Sequence, residues 1–242
     1  MSGDVPAFLA SLNRFPRLRL GVFPTPVRQL TLDNGHRFWV KDDSGCSGIY
    51  GGNKVRKLEY LLAGARHQGK ETLIVHGDVE SHTVQACGLL GRREGFAVHA
   101  VVFPYRGQTF AVPELPRLAE AGVRVHRRHS MLSAILHAHW LGWRTGGLVI
   151  PLGASTPLAT LGHVQAALEL RDQVREGMQP EPRRIFLPFA TGLGSRPAHR
   201  PRSGRHAHPD CRRTHRTRPH CQSPKPGALG AAYPDSARTR TR

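Results

Sequence analysis

Short runs of β-branched and apolar residues alternate with helical stretches from residue 73 to residue 190. Leu73, Ile74 and Val75 make the first strand candidate. The helix after them reads S-H-T-V-Q-A-C-G-L-L-G-R-R-E-G from Ser81, with Val84, Cys87 and Leu90 or Gly91 at helical spacing. Ser81 is a hydroxyl N-cap for that helix and Gly95 a stop. The pattern continues with a strand over 97–103, a helix over 114–121 ending at Gly122, a strand over 123–126, a helix over 131–143 and a strand over 148–152. A last helix opens at Ser155-Thr156-Pro157, where a hydroxyl cap precedes a proline at the first helical position, and runs to Glu176 with Leu158, Leu161, Val164 and Leu168 facing inward. The run R-I-F-L at 184–187 closes the series as a further strand. Alternation of this kind predicts an α/β fold with a parallel sheet, helices on both faces and ligand sites at the carboxyl ends of strands.

The pattern stops after Ser195. Residues 196–242 hold one leucine, Leu229, and no Ile, Val, Phe, Met or Trp, against seven prolines and twelve basic residues. Such a segment buries too little apolar surface to offset about 1–2 kcal/mol of backbone entropy per ordered residue, so the tail is predicted to be disordered. Eleven Arg and Lys225 against Asp210 and Asp235 give it +10 of the +18 net charge, and the first 195 residues keep a mild +8. The overall basicity therefore does not mark a nucleic-acid binder; what remains is non-specific, salt-dependent contact through the tail, where Tyr233 alone offers an aromatic for stacking. Cys211 and Cys221 have nine residues between them and, even with His206, His208, His215 and His220, have no hydrophobic support, so no metal site is predicted. Arg, Pro, Ala, Gly, His, Ser and Thr are what GC-rich codons yield out of frame. The tail accordingly reads as a frameshifted or truncated C-terminus beginning near Gly192–Gly194, which the nucleotide sequence around codons 190–200 tests.

Other classes fall away on simpler grounds. No apolar run reaches the roughly 18 residues of a membrane span, and Met1-Ser2-Gly3-Asp4 does not lead into the apolar core of a secretory signal. Four cysteines without such a signal predict reduced thiols and a cytoplasmic protein, with Cys87 a small core residue. The H-A-H-W-L-G-W stretch at 137–143 reads as a helix packed on a sheet.

Candidate chemistry concentrates at G-G-N-K-V-R-K-L-E-Y, residues 51–60. A double glycine and an asparagine ahead of Lys54 place a flexible amine on a tight turn just before a helix over 56–65, whose N-terminus favours anions. A lysine in a dry pocket is the residue that forms Schiff bases. Taken alone, the string reads more readily as a solvated K-x-x-K helix start, and Lys57 competes with Lys54 for the role.

Five strings carry a resemblance: R-F-P-R-L-R-L at 14–20, P-T-P-V at 24–27, K-D-D at 41–43, G-G-N-K-V-R-K-L-E-Y at 51–60 and P-L-G-A-S-T-P-L-A-T-L-G-H-V at 151–164. In order and spacing the chain resembles the D-cysteine desulfhydrase / 1-aminocyclopropane-1-carboxylate deaminase family from residue 14 to about 192. Those are pyridoxal-phosphate enzymes of the tryptophan synthase β-like architecture, fold type II. The resemblance implies a two-domain parallel-sheet structure, here incomplete. Residues 1–54 would begin the large domain, 55–155 form a small α/β domain, 156–195 return to the large domain, and 196–242 be the tail. It implies pyridoxal 5'-phosphate as cofactor, a small amino acid as substrate, and a homodimer.

By position, Lys54 is then the Schiff-base lysine and proton shuttle, with Gly52 and Asn53 shaping its turn and Lys57 a structural or charge-tuning neighbour. Ser81, with the helix-start amides of His82 and Thr83, would receive the substrate carboxylate. The chain departs from the pattern where Glu80 replaces a glutamine and where His82 replaces an asparagine that contacts the cofactor's ring oxygen. A neutral imidazole can donate there, so altered substrate preference or weaker cofactor binding is expected; the alternative for His82 is a helix-cap residue. Thr191 and Gly192 would begin the phosphate cup. A full-length member extends well beyond this chain, so low turnover, or an inactive cofactor-binding remnant, is the expectation.

Overall fold

A computed structural model describes residue 12 and residues 14–105 and 107–187. A two-stranded antiparallel hairpin comes first: β1 (Val27–Thr31) pairs with β2 (Arg37–Lys41), Val27 opposite Lys41. Helix α1 (Lys54–His67) leads into β3 (Thr72–Asp78), α2 (His82–Arg93), β4 (Ala97–Phe103), α3 (Glu114–Glu120), β5 (Arg124–Arg127), α4 (Met131–Thr145), β6 (Leu148–Ile150), a 3₁₀ turn at Leu152–Ala154 and α5 (Pro157–Arg175). Strands β3 to β6 form one parallel sheet in the order β5-β4-β3-β6, with Thr72 opposite Ala97 and Leu73 opposite Leu148.

The two central strands are buried on both faces, which is why they read as continuous apolar runs rather than as alternation. Leu73, Val75, Val98, Ala100 and Val102 face a core completed by Leu58 and Leu62 of α1 and by Val84, Cys87 and Leu90 of α2. Ile74, Val101 and Phe103 face the other way, onto Ala134, Ala138 and Leu141 of α4. Cys87 is fully buried, and burial pushes its thiol up to about 12. The 137–143 stretch lies within α4, as a helix packed on the sheet.

Three sequence expectations are corrected. The run 184–187 is not a strand: Ile185, Phe186 and Leu187 are exposed and pair with no neighbour among the described residues. An isolated β-rich run has no ladder to join, and β propensity alone does not make one. The inward face of α5 is Ala159, Gly162 and Gln173, and the four leucine and valine positions are only half-buried. Small residues win because α5 lies hard against α1, where a Cβ on Gly162 would stand 2.3 Å from the Arg56 carbonyl oxygen. The first helix starts at Lys54 rather than Arg56. The hairpin went unread, although L-D-N-G-H at 32–36 carries an Asn-Gly turn in which Gly35 takes φ +79 and Leu32 N–H donates to the His36 carbonyl at 2.8 Å.

Candidate active site

The loop ahead of α1 explains where Lys54 sits. A Cβ on Gly51 would lie 1.6 Å from the Ser44 carbonyl oxygen, so no other residue fits there. Gly52 has φ +94, the left-handed region that favours glycine, and its amide donates to the Asp43 carbonyl at 2.7 Å. Asn53 is the N-cap of α1, with helical backbone angles and no side-chain capping bond. Lys54 follows as the first helical residue.

The rest of the motif clamps that helix. Arg56 is 1% exposed and donates to both oxygens of Asp43 (2.7 and 2.8 Å), both of Glu169 on α5 (2.8 and 2.9 Å) and the Thr25 hydroxyl (3.0 Å). Burial raises the Asp43 and Glu169 carboxyls, but the Arg56 hydrogen bonds and charge outweigh it and hold both below the usual range. Lys41 joins through Glu169 (3.1 Å) and Gln173 (2.9 Å). Glu59 takes the Arg17 guanidinium at 2.6 Å and the Leu20 amide at 3.1 Å, tying the R-F-P-R-L-R-L segment to the same helix. Burial nevertheless leaves the Glu59 carboxyl above its ordinary value.

A cavity of about 520 Å³ opens at the carboxyl ends of β3 and β4, where Asp78 and Phe103 stand. It brings together Lys54, Ser81, His82 and Thr83, four of the residues singled out from sequence. Gly52 and Asn53 are on the approach to it and not among its walls. Thr191 and Gly192 lie outside the described residues, as does the whole tail with its cysteines and histidines.

Ser81 is the N-cap of α2, yet its hydroxyl makes no capping hydrogen bond, and Thr83 behind it is buried. Burial lowers the pKa of Lys54, whose amine makes no ion pair among the described residues. Lys57, one turn on, donates from Nζ to the Gly153 carbonyl at 2.8 Å; burial first, then the Lys54 charge, bring it down to about 8. It thereby ties α1 to the Leu152–Ala154 turn, where Gly153 (φ +68) and Ala154 (φ +52) are both left-handed. His163 of α5 is held down to about 4 by burial and then by Lys57 and Lys54, and its buried Nε2 has no hydrogen-bond partner among the described residues. Glu80 accepts from Gln108 Nε2 at 2.5 Å at the rim.

Sequence reasoning missed Tyr105, Met131, Leu152 and Gly153 in the cavity wall and Tyr50, which bonds to His82. The first four follow strands β4 and β6 or open α4, so the rule that ligands sit beyond strand ends points to most of them. Nothing local points to Tyr50.

These donors fit pyridoxal phosphate. An amine disfavoured as an ammonium by burial suits a carbonyl carbon. The start of α2 and an uncommitted hydroxyl suit a carboxylate, and Tyr105, Met131 and Leu152 offer a wall for a flat ring. A parallel α/β sheet with an amine at one helix start facing a second helix start across its strand ends defines a fold type II pyridoxal-phosphate enzyme. The chain belongs to the pyridoxal-phosphate dependent enzyme family, whose pattern matches residues 18–195. It is 33% identical over 192 residues to nocardicin C-9' epimerase of Nocardia uniformis subsp. tsuyamanensis, covering 75% of this chain and 58% of that one. A D-cysteine desulfhydrase of Salmonella paratyphi B is 31% identical over 185 residues, covering 69% and 55%. Among solved structures the chain is similar to an ACC deaminase homologue, with TM-score 0.61 and 29% identity over 69% of this chain and 54% of the other. It thus spans a little over half the length of the curated relatives it matches. Among the described residues, no helix is long and apolar enough to cross a membrane.

Proposed function

We propose that the chain acts on a small amino acid with pyridoxal phosphate, in the manner of a D-cysteine desulfhydrase or 1-aminocyclopropane-1-carboxylate deaminase, releasing ammonia. The observation that carries this is the single cavity with the Lys54 amine on one wall and the start of α2, led by Ser81, on another. Lys54 holds the cofactor and moves a proton at the substrate's α-carbon. Ser81 Oγ and the amides of His82 and Thr83 hold the carboxylate, since a helix N-terminus carries partial positive charge. His82 would stand in for the asparagine that the resemblance sets beside the cofactor's ring oxygen, and Gly52 and Asn53 present Lys54. Lys57 keeps the Gly153 wall in place. When bound, the cofactor supplies the sink for the electrons freed at that carbon. Thr191 and Gly192 are assigned to its phosphate.

The division into 1–54, 55–155 and 156–195, a cytoplasmic setting and a homodimer belong to the same reading.

The test is to add pyridoxal phosphate to the purified chain, look for visible absorbance that survives gel filtration, reduce with borohydride and map the added mass. Label on the peptide bearing Lys54, lost in Lys54→Ala, is expected. Label that persists at another lysine in Lys54→Ala overturns the assignment. Turnover is read as ammonia release and, because one relative is an epimerase, as solvent-proton exchange at the α-carbon.

A further inference from the structure

We propose that Tyr50 is a positioning residue for His82: its phenol donates to the imidazole Nδ1, so that the ring keeps its proton on Nε2 and offers that N–H to the cavity. This rests on the reading of the cavity as a pyridoxal-phosphate site and names how a histidine serves where the resemblance calls for an asparagine. The Tyr50 Oη and His82 Nδ1 are 2.6 Å apart, and the rings meet edge to face with centroids at 6.4 Å and planes at 61°. A separation that short is a strong hydrogen bond, and in the proposed Nε2–H tautomer the phenol donates it to the unprotonated Nδ1.

Two features make the pair more than a chance contact. Tyr50 precedes Gly51, whose approach to Ser44 leaves no room for a Cβ, and Gly52, whose φ is positive, so the phenol is carried on a stiff loop. His82 is the first residue of α2 and lines the cavity with Lys54 and Ser81. The pair therefore bridges the loop that presents Lys54 to the helix start that would take the carboxylate. His82 Nδ1 is the one hydrogen-bond partner of the Tyr50 hydroxyl among the described residues. Burial keeps the phenol protonated well above neutrality, so its proton is available for the ring. With Nδ1 accepting, a neutral imidazole carries its hydrogen on Nε2, the role an asparagine side-chain N–H fills.

Histidine-labelled full chain is examined by 15N NMR of the imidazole nitrogens, with His82→Asn identifying the His82 signals. The expected result is an unprotonated Nδ1 and a protonated Nε2 in the unsubstituted protein, and an averaged tautomer in Tyr50→Phe. Titration with pyridoxal phosphate is expected to show about fivefold to tenfold weaker binding in Tyr50→Phe, the loss of one hydrogen bond. In a His82→Asn background the same substitution is expected to cost nothing further, because Tyr50 acts through His82. A proton on Nδ1 in a chain that binds the cofactor overturns the pair while leaving the cofactor reading intact. An equal loss from Tyr50→Phe in both backgrounds also overturns it. An Nε2–H tautomer in a chain that takes up no cofactor upholds the pair and overturns the cofactor reading.

Discussion

Arg56 shows what one buried charge does for the site without touching it. Its guanidinium lies under both carboxylates and over the Phe23 ring at 4.2 Å, two residues from Lys54. Removing it leaves Asp43 to the Thr25 hydroxyl and Glu169 to Lys41, both half-buried carboxylates short of their main counter-charge, so Arg56→Ala is expected to destabilise the chain by about 3–5 kcal/mol. The check is urea unfolding, where the midpoint drops while the slope stays constant; an unchanged midpoint refutes the clamp. Gly162→Ala is a separate case, since its Cβ meets backbone rather than a side chain that can swing aside. A loss of about 1–3 kcal/mol is expected in the same assay. Lys54 stood out from its motif through resemblance alone, whereas Arg56 and Glu59 could not be read, because their partners lie 113 and 42 residues away.

Across elements, the contact between α4 and the sheet carries an acid sensitivity. His99 of β4 and His126 of β5 stack with centroids 5.1 Å apart, and His137 of α4 continues the row onto Trp140. Burial first, then the charges of His99, His137, Arg128 and Arg124, hold His126 down to about 4. An unfolded histidine takes its proton near pH ~6.5, so between about 6.5 and 4 the unfolded chain binds more protons and stability falls as pH drops through that window. His126→Phe is expected to flatten this slope by on the order of 1–2 kcal/mol, a figure reduced for its partial exposure. Unfolding measured near pH 7 and near pH 5 decides it, since equal losses in both proteins would sink the idea. The elements themselves were legible wherever an apolar run was long and closed by glycine, as at β3 to α2. Where tertiary packing decided, as on the small-residue face of α5 and at 184–187, propensity misled.

For the whole molecule, what the chain leaves uncovered matters as much as what it buries. The β1–β2 hairpin is a two-stranded sheet, marginal by itself, and exposes Leu30, Phe38 and Trp39. These side chains, and separately Ile185, Phe186 and Leu187, are exposed apolar groups of the kind that drive association. Sedimentation is expected to show self-association that rises with concentration and weakens in Trp39→Arg; a monomer at every concentration contradicts this. The boundary of the enzyme-like pattern was plain in composition alone, because loss of apolar residues after Ser195 needs no knowledge of contacts.

The Arg56 clamp also sets a timetable. Its last partner, Glu169, is 113 residues downstream, and Gln173, which receives Lys41 and reaches the Thr25 carbonyl, is later still. At about 5–20 residues per second, a ribosome that has just delivered Lys54 needs on the order of 6–20 seconds to deliver the residue that locks its helix. For that interval the newborn chain holds its amine on a helix fastened from upstream alone, by Asp43, Thr25 and Arg17, with the downstream half of the clamp still to come.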